Sequence, residues 1–183
     1  MQIEKGILAE AKQHASPNCD LRSDDISLLV VHGISLPPGE FGGPWIDALF
    51  TNKLDPNEHE YFQAIHTLQV SSHILIRRDG ELVQYVPFDK RAWHAGESEF
   101  EGRSCCNDFS VGIELEGTDD LAYTDSQYQQ LAELVIALQQ AYPAIKPDNI
   151  VGHSDIAPGR KTDPGKAFDW KKLQGLLSAK KHK

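Results

Sequence analysis

Two histidines and one aspartate, His32, His153 and Asp163, have the side-chain types that hold a catalytic zinc ion. Two imidazoles and one carboxylate supply three protein ligands, which leaves the fourth tetrahedral position of zinc open for water. Zinc lowers the pKa of that water to near neutral and polarises a carbonyl, which is the chemistry of amide hydrolysis. Residue types alone leave a structural alternative open, because Thr-Asp-Pro-Gly (162–165) is also typical of a turn.

The segment GHSDIAPGRKTDPG (152–165) places an imidazole, an ammonium and a carboxylate on one irregular stretch. Its prolines and glycines fix the path of the chain without regular secondary structure. We expect this loop to present His153 and Asp163 as ligands at its two ends, with Lys161 between them. The alternative for Lys161 is an ordinary solvated surface lysine.

The composition indicates a globular protein and excludes one class of partner. Hydrophobic residues make up 40% and charged residues 25% of the 183 residues, as in an ordinary soluble domain. We expect one domain over 1–183, with its core at about 20–178. The formal net charge of −9 argues against a nucleic-acid partner, since phosphate binding needs surplus lysine and arginine. Arg77, Arg78 and Arg103 are the candidates for local positive charge beside an anionic ligand.

No segment has the pattern of a signal peptide or a membrane span. The first residues, MQIEKGILAEAKQH, lack a basic segment followed by an apolar run, and no apolar stretch approaches the roughly 20 residues of a transmembrane helix. Cys19, Cys105 and Cys106 are odd in number and include an adjacent pair, which does not indicate a disulfide framework. We therefore expect a cytoplasmic protein with no membrane partner and no obligate protein partner.

Both candidate histidine ligands lie at the ends of predicted strands. SLLVVHGI (27–34) is apolar and β-branched and carries His32, and NIVGH (149–153) ends in His153. The segment 33–62 that follows the first strand is rich in glycine and proline, and only WIDALF within it predicts a short helical turn. Long irregular segments inside compact domains are usually functional, so we expect a lid or groove wall.

Two further patterns predict strands. VSSHILIRR (70–78) and ELVQYVP (81–87) flank Asp79-Gly80, a two-residue link that predicts a β-hairpin. FSVGIELEG (109–117) alternates, which predicts that one set of side chains faces one side of a sheet and a second set faces the other. The first set is Phe109, Val111, Ile113 and Leu115, and the second is Gly112, Glu114 and Glu116.

The C-terminal third predicts two helices. In TDSQYQQLAELVIALQQAYP, Thr124 and Gln127 form a capping-box pattern and Pro143 ends the helix. Its apolar face consists of Tyr128, Leu131, Val135, Leu138 and Tyr142. FDWKKLQGLL (168–177) predicts a closing helix with core contacts from Phe168, Trp170, Leu173 and Leu177. The predicted fold class is α/β, a single domain with a central mixed β-sheet flanked by helices.

The segments VVHGIS, WHAG, GIELEG and GHSDIAPGRKTDPG occur in an order that resembles the N-acetylmuramoyl-L-alanine amidase family. These are zinc amidases related to peptidoglycan recognition proteins and phage amidase lysozymes. LPPGEFGGPWIDALF, SSHILIRRDGELVQYVPFDKRAWHAG and CNDFSVGIELEGTD are similar to one branch, the AmpD-type cytosolic amidases of cell-wall recycling. The resemblance covers about residues 20 to 175.

The resemblance implies a zinc cofactor and its ligands. His32 and His153 match the family's two histidine ligands, and Asp163 matches the carboxylate ligand of the AmpD-type branch. Phage and animal relatives often have cysteine at that third position, but the loop here has none. Cys105 and Cys106 are therefore not expected to be ligands.

The resemblance also implies catalytic residues. Glu114 matches the glutamate that would hold and deprotonate the attacking water and then pass the proton to the leaving amine. Glu116 is the competing candidate, because it faces the same side of the strand. Lys161 matches a lysine whose ammonium can stabilise the developing oxyanion.

The remaining histidines and one tryptophan receive lesser roles. Trp93 and His94 are candidate substrate-binding walls, because aromatic faces pack on sugar rings and histidine can hydrogen-bond a carbonyl. His73 is a core or supporting histidine, and we expect no metal role for it or for His94. Surface or packing positions are expected for His14, His59, His66 and His182.

Together the resemblance implies zinc-dependent cleavage between 1,6-anhydro-N-acetylmuramic acid and L-alanine in small soluble muropeptides. Two other functions stay open at this point. A muropeptide-binding module without catalysis would have lost zinc ligands, all of which are present here. A cysteine hydrolase would use Cys105 or Cys106 with a histidine.

Overall fold

The computed structural model describes residues 1–181, so His182 lies outside the described residues. The strands are β1 (Ile3–Glu4), β2 (Ile7–Leu8), β3 (Lys12–Gln13), β4 (Cys19–Leu21), β5 (Leu28–Ile34), β6 (Ile74–Ile76), β7 (Leu82–Gln84), β8 (Lys90–Ala92), β9 (Glu99–Phe100), β10 (Arg103–Ser104), β11 (Ser110–Glu116) and β12 (Ile150–Gly152). The helices are α1 (Trp45–Phe50), α2 (Phe62–Ile65), α3 (Asp125–Ala141), α4 (His153–Ile156) and α5 (Trp170–Lys181).

The central sheet has the strand order β12-β5-β11-β6-β7-β3. Strands β12, β5, β11 and β6 run parallel to one another, whereas β6 and β7 are antiparallel, so the predicted mixed sheet is confirmed. The carboxyl ends of the parallel strands meet at one edge, where α/β proteins bind ligands. His32 on β5 pairs directly with Glu114 on β11, and Gly152 at the end of β12 pairs with Val31.

The apolar side chains of β11 pack into the main hydrophobic core, with one exception to the prediction. Val111, Ile113 and Leu115 pack in the cluster beneath α3 and α5, as predicted. The prediction for Phe109 is wrong, because Phe109 packs with Leu28 in a different cluster. It follows the 3-10 turn Cys106–Asp108 and precedes the strand, so the alternation does not extend to it.

The predicted helices are confirmed. Thr124 and Gln127 form the capping box of α3, whose buried face includes the predicted leucines and valine. Phe168, just before α5, and Leu173, on α5, are buried in the core, while Trp170 is partly buried against the same core. WIDALF forms α1. Among residues 1–181, no helix combines the length and the apolarity needed to cross a bilayer.

The β6–β7 hairpin forms, but its link is longer than the predicted Asp-Gly pair. The Arg77 N–H donates to the Glu81 carbonyl at 2.9 Å, and the Gly80 N–H donates to the Arg77 carbonyl at 2.9 Å. Arg78 therefore belongs to the turn together with Asp79 and Gly80. A three-residue link of this kind needs its last residue at positive φ, and Gly80 has φ +95°.

Candidate active site

The three predicted ligands converge at the carboxyl edge of the parallel strands. His32 Nδ1 lies 3.0 Å from His153 Nδ1. Asp163 Oδ2 lies 3.2 Å from His32 Nδ1 and 3.1 Å from His153 Nδ1. The histidines are 1% and 4% exposed. These atoms form a group that could hold a metal ion.

The backbone of the 152–165 loop is tied to the rest of the site. The Ser154 N–H donates to the Asp163 carbonyl at 3.0 Å, which keeps Asp163 beside the start of α4. The Tyr123 hydroxyl donates to the Pro164 carbonyl at 2.9 Å. Gly165 has φ +83°, a conformation that glycine adopts without strain. The prediction that the whole 152–165 segment is irregular is wrong for His153–Ile156, which form the short helix α4 directly after β12.

A chain of hydrogen bonds sets the tautomer of His32. The Ser110 hydroxyl donates to the Cys106 carbonyl at 2.6 Å, so its oxygen accepts from His94 Nε2 at 3.1 Å. His94 Nδ1 then accepts from His32 Nε2 at 2.9 Å. Because the neutral imidazole carries one proton, the lone pair of His32 lies on Nδ1 and faces the other two ligands.

The tautomer of His153 is set by the backbone. Its Nε2 donates to the Ala95 carbonyl at 3.1 Å, which leaves the Nδ1 lone pair toward Asp163. Arg160 supports the same backbone by donating to the Ala95 carbonyl at 2.6 Å and the Glu97 carbonyl at 2.5 Å. Arg160 received no role from the sequence.

The donor set fits zinc. Two imidazole lone pairs and a carboxylate oxygen at 3.0–3.2 Å repel one another unless a cation lies among them. Ligand bonds of about 2.0–2.1 Å in a tetrahedron put ligand atoms roughly 3.3 Å apart, close to these separations.

The pKa directions of His32 and Asp163 match the ionisation states that a metal requires. Burial lowers the pKa of His32 to about 4, so it is neutral near pH 7. Burial alone would raise the pKa of Asp163, but a proton on the facing Nδ1 of His153 or His32 outweighs burial and holds that pKa well below its usual range. With both lone pairs turned toward Asp163, a bound cation would favour the same ionised form. Neutral imidazoles and an ionised carboxylate are the forms that bind zinc.

Glu114 and Lys161 line one cleft with the three ligands. Glu114 is buried, and its Oε2 accepts no hydrogen bond from any residue among 1–181. Burial raises the pKa of Glu114 well above its usual value, the charge of Asp163 adds to this, and the ammonium of Lys161 opposes it. Lys161 is exposed at the cleft.

The structure separates Glu116 from Glu114, although both side chains leave β11 on the same side. Glu116 accepts from the Gly42 N–H at 2.6 Å and from the Arg78 N–H at 3.2 Å, and it does not line the cleft. The sequence could not distinguish the two carboxylates, because their difference lies in the chain segments that cover them.

The cleft has a volume of about 640 Å³ and runs outward from the ligands. The 33–62 segment supplies much of the wall of the cleft, as predicted. The mobility of this segment stays a prediction. The lining residues of the cleft from that segment are Gly33, Ile34, Ser35, Leu36, Pro38, Gly39, Leu49, Phe50 and Tyr61. Trp93 also lines the cleft. His94 also lines the cleft, but both its ring nitrogens are already hydrogen-bonded, which leaves neither for a substrate carbonyl.

Other sequence candidates lie outside the cleft. Neither Cys105 nor Cys106 lines it, and burial raises the pKa of the Cys106 thiol, which disfavours the nucleophilic thiolate. Arg77 pairs with Asp47 at 3.0 Å and does not line the cleft. Arg78 and Arg103 do not line it either, so the positive charge of these three arginines lies outside the cleft lining, and their effect on an anionic ligand stays a prediction. Arg103 pairs instead with an aspartate on the surface.

Ser110 has no role in the sequence-based prediction, although the strand pattern contains a signal for it. The two-residue alternation of β11 places Ser110 on the same side as Gly112 and Glu114, which is the side of the site. No comparable signal marked Arg160, because its partners are backbone carbonyls of a distant loop.

Comparison with known proteins decides the family. The family model for N-acetylmuramoyl-L-alanine amidase matches residues 22–166. The chain belongs to this family. A curated relative from Citrobacter freundii, the 1,6-anhydro-N-acetylmuramyl-L-alanine amidase AmpD, is 64% identical over 185 residues, with 100% of this chain and 98% of the relative covered. A protein of the same name from Escherichia coli (strain K12) is 64% identical over 180 residues, with 97% and 98% covered.

Solved structures agree with this assignment. A crystal structure of a Se-Met AmpD derivative matches with a TM-score of 0.95 at 64% identity, covering 97% of this chain and 99% of that chain. The amidase AmiD from E. coli, in complex with the substrate anhydro-N-acetylmuramic acid-L-Ala-D-gamma-Glu-L-Lys, matches with a TM-score of 0.61 at 29% identity, covering 95% and 65%. The predicted amidase and its fold class are confirmed.

Proposed function

We propose that this amidase uses zinc held by His32, His153 and Asp163 to cleave the amide between 1,6-anhydro-N-acetylmuramic acid and L-alanine. The observation that carries the metal proposal is the convergence of three lone pairs at 3.0–3.2 Å, with both imidazole tautomers fixed by hydrogen bonds. The anhydro substrate is supported by the names of the relatives and by the molecule in the AmiD complex.

Glu114 is the proposed general base and acid. Zinc at the site would supply a Lewis acid that polarises the amide carbonyl and acidifies water. Glu114 lies beside His32 in the register and has a buried oxygen free to accept a proton from the attacking water. Its raised pKa makes it a stronger base than an ordinary carboxylate, and the proton it takes can pass to the leaving amine.

Lys161 is the proposed stabiliser of the oxyanion. Its ammonium reaches the same cleft as Glu114 and lies two residues before Asp163 in the loop. As substrate displaces water from the cleft, the local dielectric falls and the attraction between ammonium and oxyanion strengthens. The same charge favours the ionised form of Glu114 before the reaction begins.

The shape of the cleft suits a small soluble muropeptide. Its volume of about 640 Å³ is in the range of small-ligand sites. Trp93 offers an aromatic face at the cleft, and we assign it to the sugar ring. His94 is assigned to orient His32 and not to bind substrate. We further propose one amidase domain over 1–183 that acts in the cytoplasm on products of cell-wall turnover, without nucleic-acid or membrane partners.

Peptide release tests this function directly. The purified chain with zinc is incubated with 1,6-anhydro-N-acetylmuramyl tripeptide, and free peptide is measured by chromatography. Release of peptide, and its loss after chelation with recovery on zinc addition, is the expected result. A zinc-loaded protein that releases no peptide would remove the proposal.

A further inference from the structure

Glu116 is a buried carboxylate that the amidase chemistry does not use. Its side chain is 2% exposed at the end of β11, and it lies outside the lining of the catalytic cleft. A carboxylate buried to this degree is costly unless it is paired and hydrogen-bonded. Its contacts therefore indicate what it does for the fold.

Both carboxylate oxygens of Glu116 hold backbone from other segments. Oε1 accepts from the Gly42 N–H at 2.6 Å, and Oε2 accepts from the Arg78 N–H at 3.2 Å. The guanidinium of Arg77 lies 3.6 Å from Oε1 and supplies the opposite charge. Hydrogen bonds to an ionised acceptor are stronger than neutral ones.

The residues on either side of Gly42 are held by the same turn of the sheet. The Arg78 guanidinium lies over the Phe41 ring, 5.0 Å from its centroid. Arg77 donates to the Gly43 carbonyl at 3.3 Å and to the Asp47 carboxylate on α1 at 3.0 Å. Three consecutive residues, 41–43, are thus fixed to the β6–β7 turn and the end of β11.

Along the chain, this attachment lies between two stretches that line the cleft. Leu36 and Pro38 line the cleft before it, and Leu49 and Phe50 line the cleft after it. We call residues 36–50 the wall segment. Gly42 has φ +77°, which only glycine adopts readily, and this conformation accompanies the contact of its N–H with the carboxylate.

We infer that Glu116 is a positioning residue that holds the wall segment in place over the cleft. It acts through the backbone of the wall and does not touch the reacting atoms. The inference rests on the proposed function only for its kinetic effect, since the attachment itself can be measured without substrate.

Glu116→Gln is the first variant. Glutamine offers one acceptor oxygen where the carboxylate offers two, so one of the two backbone N–H groups faces an amide donor. Hydrogen exchange in the wall segment is expected to accelerate by at least about tenfold, because that is the scale of one lost hydrogen bond to a charged group. The exchange rate of α3 should stay at its wild-type value. KM is expected to rise several-fold, with a smaller change in kcat.

Glu81→Gln is the matched control. Glu81 also pairs with Arg77, at 3.3 Å, but the Glu81 side chain is 44% exposed, whereas that of Glu116 is 2% exposed. Exposed ion pairs contribute little, so wall exchange and KM should stay at wild-type values. Glu114→Gln provides the contrast, because it should lose kcat without accelerating exchange in the wall.

Gly42→Ala keeps the inference testable if Glu116→Gln fails to fold. A Cβ at Gly42 meets no atom within 4 Å, so the variant introduces no clash and disfavours only the positive φ. It should reproduce the faster wall exchange and the raised KM. Wall exchange at the wild-type rate in the folded variants would overturn the inference, as would loss of kcat at unchanged KM in Glu116→Gln. If the wild type releases no peptide, the proposed function fails while the exchange comparison still decides the role of Glu116.

Discussion

Ser110→Ala is expected to weaken zinc binding although Ser110 is not a ligand. Removing the hydroxyl leaves the buried Nε2 proton of His94 without an acceptor. If His94 moves its proton to Nδ1, His32 must accept at Nε2 and carry its own proton on Nδ1, where it points at the other ligands. Either outcome disfavours the tautomer that binds metal.

The size of the effect follows from the lost hydrogen bond. A buried donor without a partner costs roughly 1–3 kcal/mol. At about 1.4 kcal/mol per factor of ten, this raises the zinc dissociation constant by about 5- to 150-fold. Loss of a partner behind a metal-bound histidine generally has an effect of about 10- to 100-fold.

The assay is competition for zinc against a chromophoric chelator at fixed pH, with thermal unfolding of the zinc-free proteins measured in parallel. Ser98→Ala is the control. The Ser98 hydroxyl accepts from the Cys106 N–H at 3.1 Å, so the control removes the same atom type next to the same residue without touching His94. Zinc affinities of Ser110→Ala and Ser98→Ala within twofold of each other would show that Ser110 does not set the tautomer of His32.

Two predictions concern the catalytic groups. Glu114→Gln should lower kcat by about 10²- to 10⁴-fold, because glutamine cannot accept the proton, and it should keep its zinc, because Glu114 is not a proposed ligand. Steady-state kinetics with metal analysis checks both, and loss of zinc would contradict this role. Lys161→Met should lower kcat by roughly 10²- to 10³-fold. It should also move the acid limb of kcat/KM to higher pH, since the ammonium lowers the pKa of Glu114 and its loss raises that pKa. A limb displaced to lower pH would contradict the assigned pairing.

Much of the framework could be predicted from local patterns. The strand that carries His32 begins with an apolar run that includes two valines, and α3 is marked by its capping box and apolar stripe. The error at Phe109 arose because alternation was extended through a 3-10 turn that has no strong sequence signal. The hairpin link was too short by one residue, because Asp-Gly occurs both in two-residue links and at the end of three-residue ones.

The site could be predicted only as a set of residues. Which strands are neighbours, and the register that puts Glu114 beside His32, depend on long-range pairing that no local pattern encodes. The same holds for Glu116, whose distinction from Glu114 depends on Gly42, far away in the chain. Long-range contacts also decide the state of Arg77. The sequence made it a candidate for charge beside a ligand, but in the fold it is paired with Asp47.

Zinc content and peptide release, measured side by side in the wild type and Asp163→Ala, test whether His32, His153 and Asp163 hold a catalytic zinc ion. Asp163 Oδ2 lies within 3.2 Å of both imidazole nitrogens, so its removal takes away the only carboxylate ligand of the proposed three. We expect about one zinc per chain and peptide release from anhydro-muropeptide in the wild type, with both lost in the variant. Full zinc content and undiminished release in Asp163→Ala would contradict this expectation and place the third ligand elsewhere.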